Sequence, residues 1–142
     1  MEVSEVRNRL LRTIEQARRA AAERRQRVSD AESAYEVFLS RIASPLVRQA
    51  ASALKAEGVP FTVSTPAGSI RLASDRNAQD FIELTLDLDR DPPTVVGRIS
   101  RERGRRLVSR EQPVRDGVSV ADLTESDLLD FLATELAPFV ER

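Results

Sequence analysis

Six arginines, Arg98, Arg101, Arg103, Arg105, Arg106 and Arg110, fall within the thirteen residues RISRERGRRLVSR. Guanidinium groups hold phosphate or carboxylate through paired, charge-assisted hydrogen bonds. This stretch is therefore the first candidate for chemistry: an anion or nucleic-acid grip. Gly104 suits the left-handed position of a three-residue hairpin loop, Glu102–Arg103–Gly104. That loop pairs Ile99 with Leu107 on one face and sets Arg98, Arg106 and Arg110 on the other with Val96 and Val108; a two-residue loop shifts the register. A basic ribbon of this kind fits a major groove or tracks phosphates. Against that reading, no aromatic stands within it to stack a base, and the pI of about 5.6 is acidic where a nucleic-acid domain is usually basic. Charged edge strands also protect a sheet from aggregation without binding anything.

Little else offers reactive chemistry. The chain has no cysteine and no histidine, which removes disulfides, thiolate nucleophiles, imidazole bases and the common zinc ligand sets. One lysine, Lys55, and one tyrosine, Tyr35, remain beside the carboxylates and arginines. Asp87, Asp89 and Asp91 alternate as at the start of a calcium loop, but Pro92 and Arg98 stand where glycine and glutamate are needed. Asp127 with Asp130, and Glu32 with Glu36, share helix faces without a third ligand. No glycine spacing matches a phosphate loop. The expectation is no catalytic residue, no metal site and no cofactor.

The elements that must position these residues begin with a long helix. A 3,4 repeat runs Val3, Arg7, Leu10, Ile14, Ala17, Ala21, Arg24, Val28, Ala31, Tyr35, Phe38, Ile42, with ten of twelve positions apolar. With Val3, Leu10 and Ala17 at d, this is a sustained heptad and predicts one helix over residues 2–43, roughly 60 Å long. SDAE at 29–32 matches a capping box and would split the helix; the unbroken phase favours continuity. SPLVRQAASALKAEGVP then predicts a second helix, with Ser44 as N-cap, Pro45 at N1 and Gly58 as the left-handed C′ residue. PFTVST and SIRLAS flank a PAG turn. DFIELTLDLD alternates, with Ile82, Leu84, Leu86 and Leu88 on one face. TVVGRIS and RRLVSRE complete a five-stranded antiparallel meander. The last helix starts at Thr124 as N-cap, with Glu125 and Asp127 in its first turn and Pro138 marking a kink or break near its end.

The expected fold class is α+β: a long coiled-coil-like N-terminal helix, a short second helix, the five-stranded meander and a C-terminal helix packed on the sheet. Residues 1–43 form the oligomerisation helix and 44–142 an α+β globular part continuous with it in one domain.

Charge is laid out in blocks: +4 over residues 1–27, −4 over 75–91, +5 over 98–115 and −7 over 116–141, for a net −1. Such blocks either cancel within the fold or present separate faces to partners. No apolar run reaches the roughly 20 residues of a membrane span, and the N-terminus is charged from residue 2 without the apolar core of a signal peptide. The expectation is a cytoplasmic protein with no membrane contact. A helix of this length outruns the rest of the chain, so its seam needs a partner, and the commonest one is a second copy. The seam candidates are Leu10, Ile14, Ala17, Ala21, Arg24 and Val28. Function is expected to be that of a homodimeric, non-enzymatic interaction protein with an unidentified protein partner. Nucleic-acid or anion binding through 98–110 and the basic N-terminal helix ranks second.

Overall fold

A computed structural model describes residues 1–141. Helix α1 spans Val3–Phe38, a single wide π-turn spans Leu39–Ala43, and helix α2 spans Ser44–Ala56. The chain stays helical from α1 into α2. Ser44 lies at φ −59°, ψ −51°, helical geometry rather than that of a cap, so its expected N-cap role is not realised. Its hydroxyl instead accepts from Arg48 Nε at 3.3 Å. The Ser44 amide donates back to the Leu39 carbonyl, an i to i−5 bond that widens the turn just ahead of Pro45. A proline ring inside a regular helix collides with the carbonyl four residues earlier; the wider turn gives it room. Helix α1 also runs through Ser29 without a break.

The π-turn explains the burial pattern. Ala31, Tyr35 and Phe38 are buried on α1, then Ala43 and Val47 on α2, with Ala50 and Leu54 half-buried. The steps are four, three, five, four, three, four. A regular helix accommodates threes and fours; the single five falls on the π-turn. Helix α2 closes in a Schellman motif: Val59 N–H donates to the Leu54 carbonyl at 2.8 Å and Gly58 N–H to that of Lys55 at 3.1 Å, with Gly58 at φ +78° as expected.

Strands β1 (Phe61–Ser64), β2 (Ile70–Ser74), β3 (Phe81–Asp87), β4 (Thr94–Arg103) and β5 (Arg106–Pro113) form one antiparallel sheet in chain order. Ile70, Leu72, Ile82, Leu84, Val95 and Ile99 share its inner face with Phe38, Ala43 and Val47, together with Leu128, Phe131, Leu132 and Phe139 of helix α3 (Glu125–Val140). Leu88, expected to continue the apolar face of β3, lies beyond the strand and is exposed. Phe61 and Phe139 meet edge to face, centroids 6.0 Å apart. Thr124 caps α3 in a full capping box with Asp127. The amide of Thr124, ahead of its hydroxyl and Arg115, holds the Asp127 carboxyl below its ordinary range. Pro138 sits inside α3 without breaking it before Val140. Among the described residues, no helix is long and apolar enough to cross a membrane.

Tyr35 ties α1 to the sheet. Its hydroxyl donates to the carbonyls of Gly68 at 2.7 Å and Leu84 at 3.3 Å. Burial, and secondarily the charge of Glu83, push its pKa from 10.0 to about 12. Because this is the only tyrosine and there is no tryptophan, tyrosinate absorbance reports it alone. The folded protein should titrate near 12 and the urea-unfolded chain near 10. The tyrosine-linked stability is fully present below the unfolded value and falls as pH rises towards the folded one. A folded-state midpoint at the unfolded value would contradict the buried hydroxyl.

Candidate functional site

The arginine hairpin has a different register from the expected one. Arg103 pairs with Arg106, Ile99 with Arg110 and Glu102 with Leu107, leaving the two-residue turn Gly104–Arg105. Gly104, at φ +63°, occupies the first central position, where the mirror-image turns that suit hairpin twist favour glycine. The shift of register separates side chains expected together. Arg106, Val108 and Arg110 share the inner face with Ile99, Arg101 and Arg103, while Arg98 and Val96 lie on the outer face.

Within this frame three of the six arginines are engaged. Arg110 donates to Glu135 of α3, a carboxylate whose side chain is 9% exposed. Arg101 lies with its guanidinium 5.9 Å from the Phe139 ring centre, and its Nε is buried without a hydrogen-bond partner. On the outer face, Arg98 Nη2 lies 3.9 Å from Glu83 Oε1 and its guanidinium 5.2 Å from the Phe81 ring centre. Arg71 completes that cluster, with Nε donating to Glu83 Oε2 at 2.8 Å and its guanidinium 4.1 Å from the same ring. Sequence reading missed this cluster. Its signal was Phe81, the lone aromatic on the polar face of an alternating strand, but placing Arg71 and Arg98 beside it requires the sheet register. Among the described residues, Arg103, Arg105 and Arg106 have no ion pair.

Among the described residues, the acidic C-terminal block meets the basic block at Arg110–Glu135 and Arg115–Asp127. Arg110→Leu is expected to lower stability by about 1–3 kcal/mol, because it leaves Glu135 buried without its partner. Adding Glu135→Leu should recover most of that loss. Urea midpoints of the single and double variants check this; a double variant no more stable than Arg110→Leu would refute it.

Between the hairpin and α3 lies a cavity of about 150 Å³, lined by Ile99, Arg101, Arg103, Val108, Arg110, Glu135 and Pro138. Small-molecule sites are typically about 300–1,000 Å³, so this one suits no more than a small anion. Asp87 is engaged locally, accepting from the Asp89 amide at 3.0 Å and from Arg90 Nε at 3.1 Å.

The most extensive unpartnered feature is the N-terminal part of α1. Every residue from 1 to 20 is exposed, and burial becomes continuous with the body only from Ala31. Leu10 is 56% exposed and Ile14 44%; Ala17 and Arg24 are exposed, Ala21 and Val28 half-buried. The seam candidates thus lie along one helix, with Leu10, Ile14 and Ala17 on its fully exposed part and Val28 at its junction with the body. Val3, Val6 and Leu11 beside them are also exposed. Arg27 anchors the base of this segment through Asp91 at 3.7 Å.

Comparison with known protein families, curated proteins and solved structures found no match for the chain.

Proposed function

We propose that the protein is a non-enzymatic interaction protein, an adaptor, assembly factor or chaperone-like module, that self-associates as a homodimer through the free part of α1. One observation carries this reading. Residues 3–20 form roughly 27 Å of helix at 1.5 Å per residue, exposed at every position and carrying an apolar seam. Most helix stability in proteins comes from packing an amphipathic face, and burying the seam against another helix supplies that packing. The absence of cysteine and histidine favours binding over catalysis. A cytoplasmic location and a further, unidentified protein partner belong to the same reading. Sedimentation equilibrium at tens of micromolar should give twice the chain mass of 15.8 kDa; a strict monomer overturns the proposal.

A second reading has its own observation: Arg103, Arg105 and Arg106, at the tip of the β4–β5 hairpin, lack ion pairs among the described residues. They could serve nucleic-acid or anion binding, with the basic stretch of α1 contributing. Filter binding to DNA and RNA at two salt concentrations tests it. Binding should weaken steeply with salt and be lost in Arg103→Glu plus Arg106→Glu; retention in that variant removes the hairpin as the site.

A further inference from the structure

We propose that the second copy lies antiparallel along residues 3–21 of α1, with the two-fold axis beside Arg12. This rests on the self-association proposed above and specifies its geometry.

The free helix has two unlike halves. All five large exposed apolar side chains of this segment, Val3, Val6, Leu10, Leu11 and Ile14, lie in residues 3–14. With Leu10 at d, they occupy positions d, g, d, e and a, the four that face a partner. The half nearer the body offers Ala17, Ala21 and Arg24 along the seam, flanked by Ala20, Arg18, Arg25 and Arg27. One half is apolar and bulky, the other small and basic.

Each way of pairing two such helices can be tested by what meets across the seam. A parallel, in-register pair stacks Arg7 on Arg7 at a and Arg24 on Arg24 at d, two like-charge layers inside the interface. Antiparallel pairing instead sets a against d, e against e and g against g. When Ile14 faces the partner's Leu10, Arg7 faces the partner's Ala17 and Val3 the partner's Ala21. On the flanks Leu11 meets the partner's Leu11, Thr13 the partner's Thr13, Val6 the partner's Ala20 and Ser4 the partner's Arg18. No charge opposes a like charge at any seam or flank position; Val3, Val6 and Arg7 oppose alanines, while Ile14, Leu10 and Leu11 form the bulky centre beside the axis. Arg7 can lay its stem over the partner's Ala17 and keep its guanidinium in water.

Neighbouring registers are worse. Sliding one heptad towards the body sets Arg7 against the partner's Arg24, twice. Sliding one heptad away shortens the overlap to residues 3–14 and uncovers Ala17 and Ala21. The proposed overlap also fits the exposed length. The partner's Val3 comes to rest at Ala21, seven residues before half-buried Val28, so roughly 10 Å of helix separates the partner's end from the body. The two globular bodies then stand at opposite ends of the paired helices.

The absence of native cysteine makes site-specific labelling direct. Ser4→Cys and Ser29→Cys, both exposed in α1, are labelled with nitroxide in the full chain, and inter-spin distances are measured by pulsed dipolar spectroscopy. The proposed register gives axial separations of about 24 Å for Ser4→Cys and about 51 Å for Ser29→Cys at 1.5 Å per residue. Short distances at both sites mean a parallel dimer and overturn the register while leaving self-association standing. About 35 Å and 40 Å mean a slide of one heptad towards the body, which also overturns it. No dipolar signal together with a monomeric mass overturns the self-association itself.

Discussion

Replacing Gly97 with alanine should lower stability by about 1–3 kcal/mol, the usual cost of forcing extra volume into a packed core. A Cβ built at Gly97 collides with Phe131 Cζ and lies 2.7 Å from Cε1 of the same ring. Phe131 is buried among Ile99, Leu128 and Leu132, so the ring has little freedom to retreat. The gain from stiffening the unfolded chain, about 0.4–1 kcal/mol for glycine to alanine, does not offset the collision. Phe131→Leu should be costly alone but less costly combined with Gly97→Ala, since the two changes share one space. Urea unfolding of the four proteins measures this coupling. An unchanged midpoint in Gly97→Ala would mean that α3 does not cross β4 at this point.

The second large effect is on assembly. Leu10→Glu with Ile14→Glu should convert the proposed dimer to a monomer at tens of micromolar, a loss of more than about a hundredfold in association. Both residues lie in the outer half of α1, far from the body, and both are exposed in the single chain. Glutamate is a good helix former, so the substitution removes the seam without removing helix propensity. The urea transition of the sheet should stay where it is, while sedimentation reports half the mass and far-ultraviolet dichroism a loss of helix as the free segment frays. An unchanged mass would show that the seam is not the interface.

Why some of this was legible in the sequence and some was not follows from the range of the forces involved. The stripe Ala31, Tyr35, Phe38 is a local periodicity, and so are the glycine closing α2 and the threonine opening α3. Ser44–Pro45 misled because serine followed by proline is a helix-start pattern. Here the packing of Ala43 and Val47 against the sheet keeps the chain helical, and one wide turn absorbs the proline. The hairpin misled for a different reason. Gly104 serves a two- or a three-residue loop equally well, and the apolar pattern of RRLVSRE does not choose between them. In the observed register Leu107 is left 57% exposed while Arg110 turns inward. What Arg110 meets there is Glu135, twenty-five residues away. A buried carboxylate's need for a cation is a tertiary fact that no local pattern announces. For the same reason the free helix was readable as a candidate interface, whereas the division of the arginines into engaged and unengaged sets was not.

The five-residue step from Phe38 to Ala43 has a mechanical meaning. Successive residues of a regular helix are about 100° apart, so five regular steps would turn Ala43 about 140° away from the face of Phe38; the π-turn brings it back onto that face. Helix α1–α2 is thus a single shaft with one continuous keyway. Ala31, Tyr35 and Phe38 on α1 and Ala43 and Val47 on α2 lock it together, which fixes the rotation of the free end as well as its position. Whatever docks on that end is held at a defined rotation relative to the sheet.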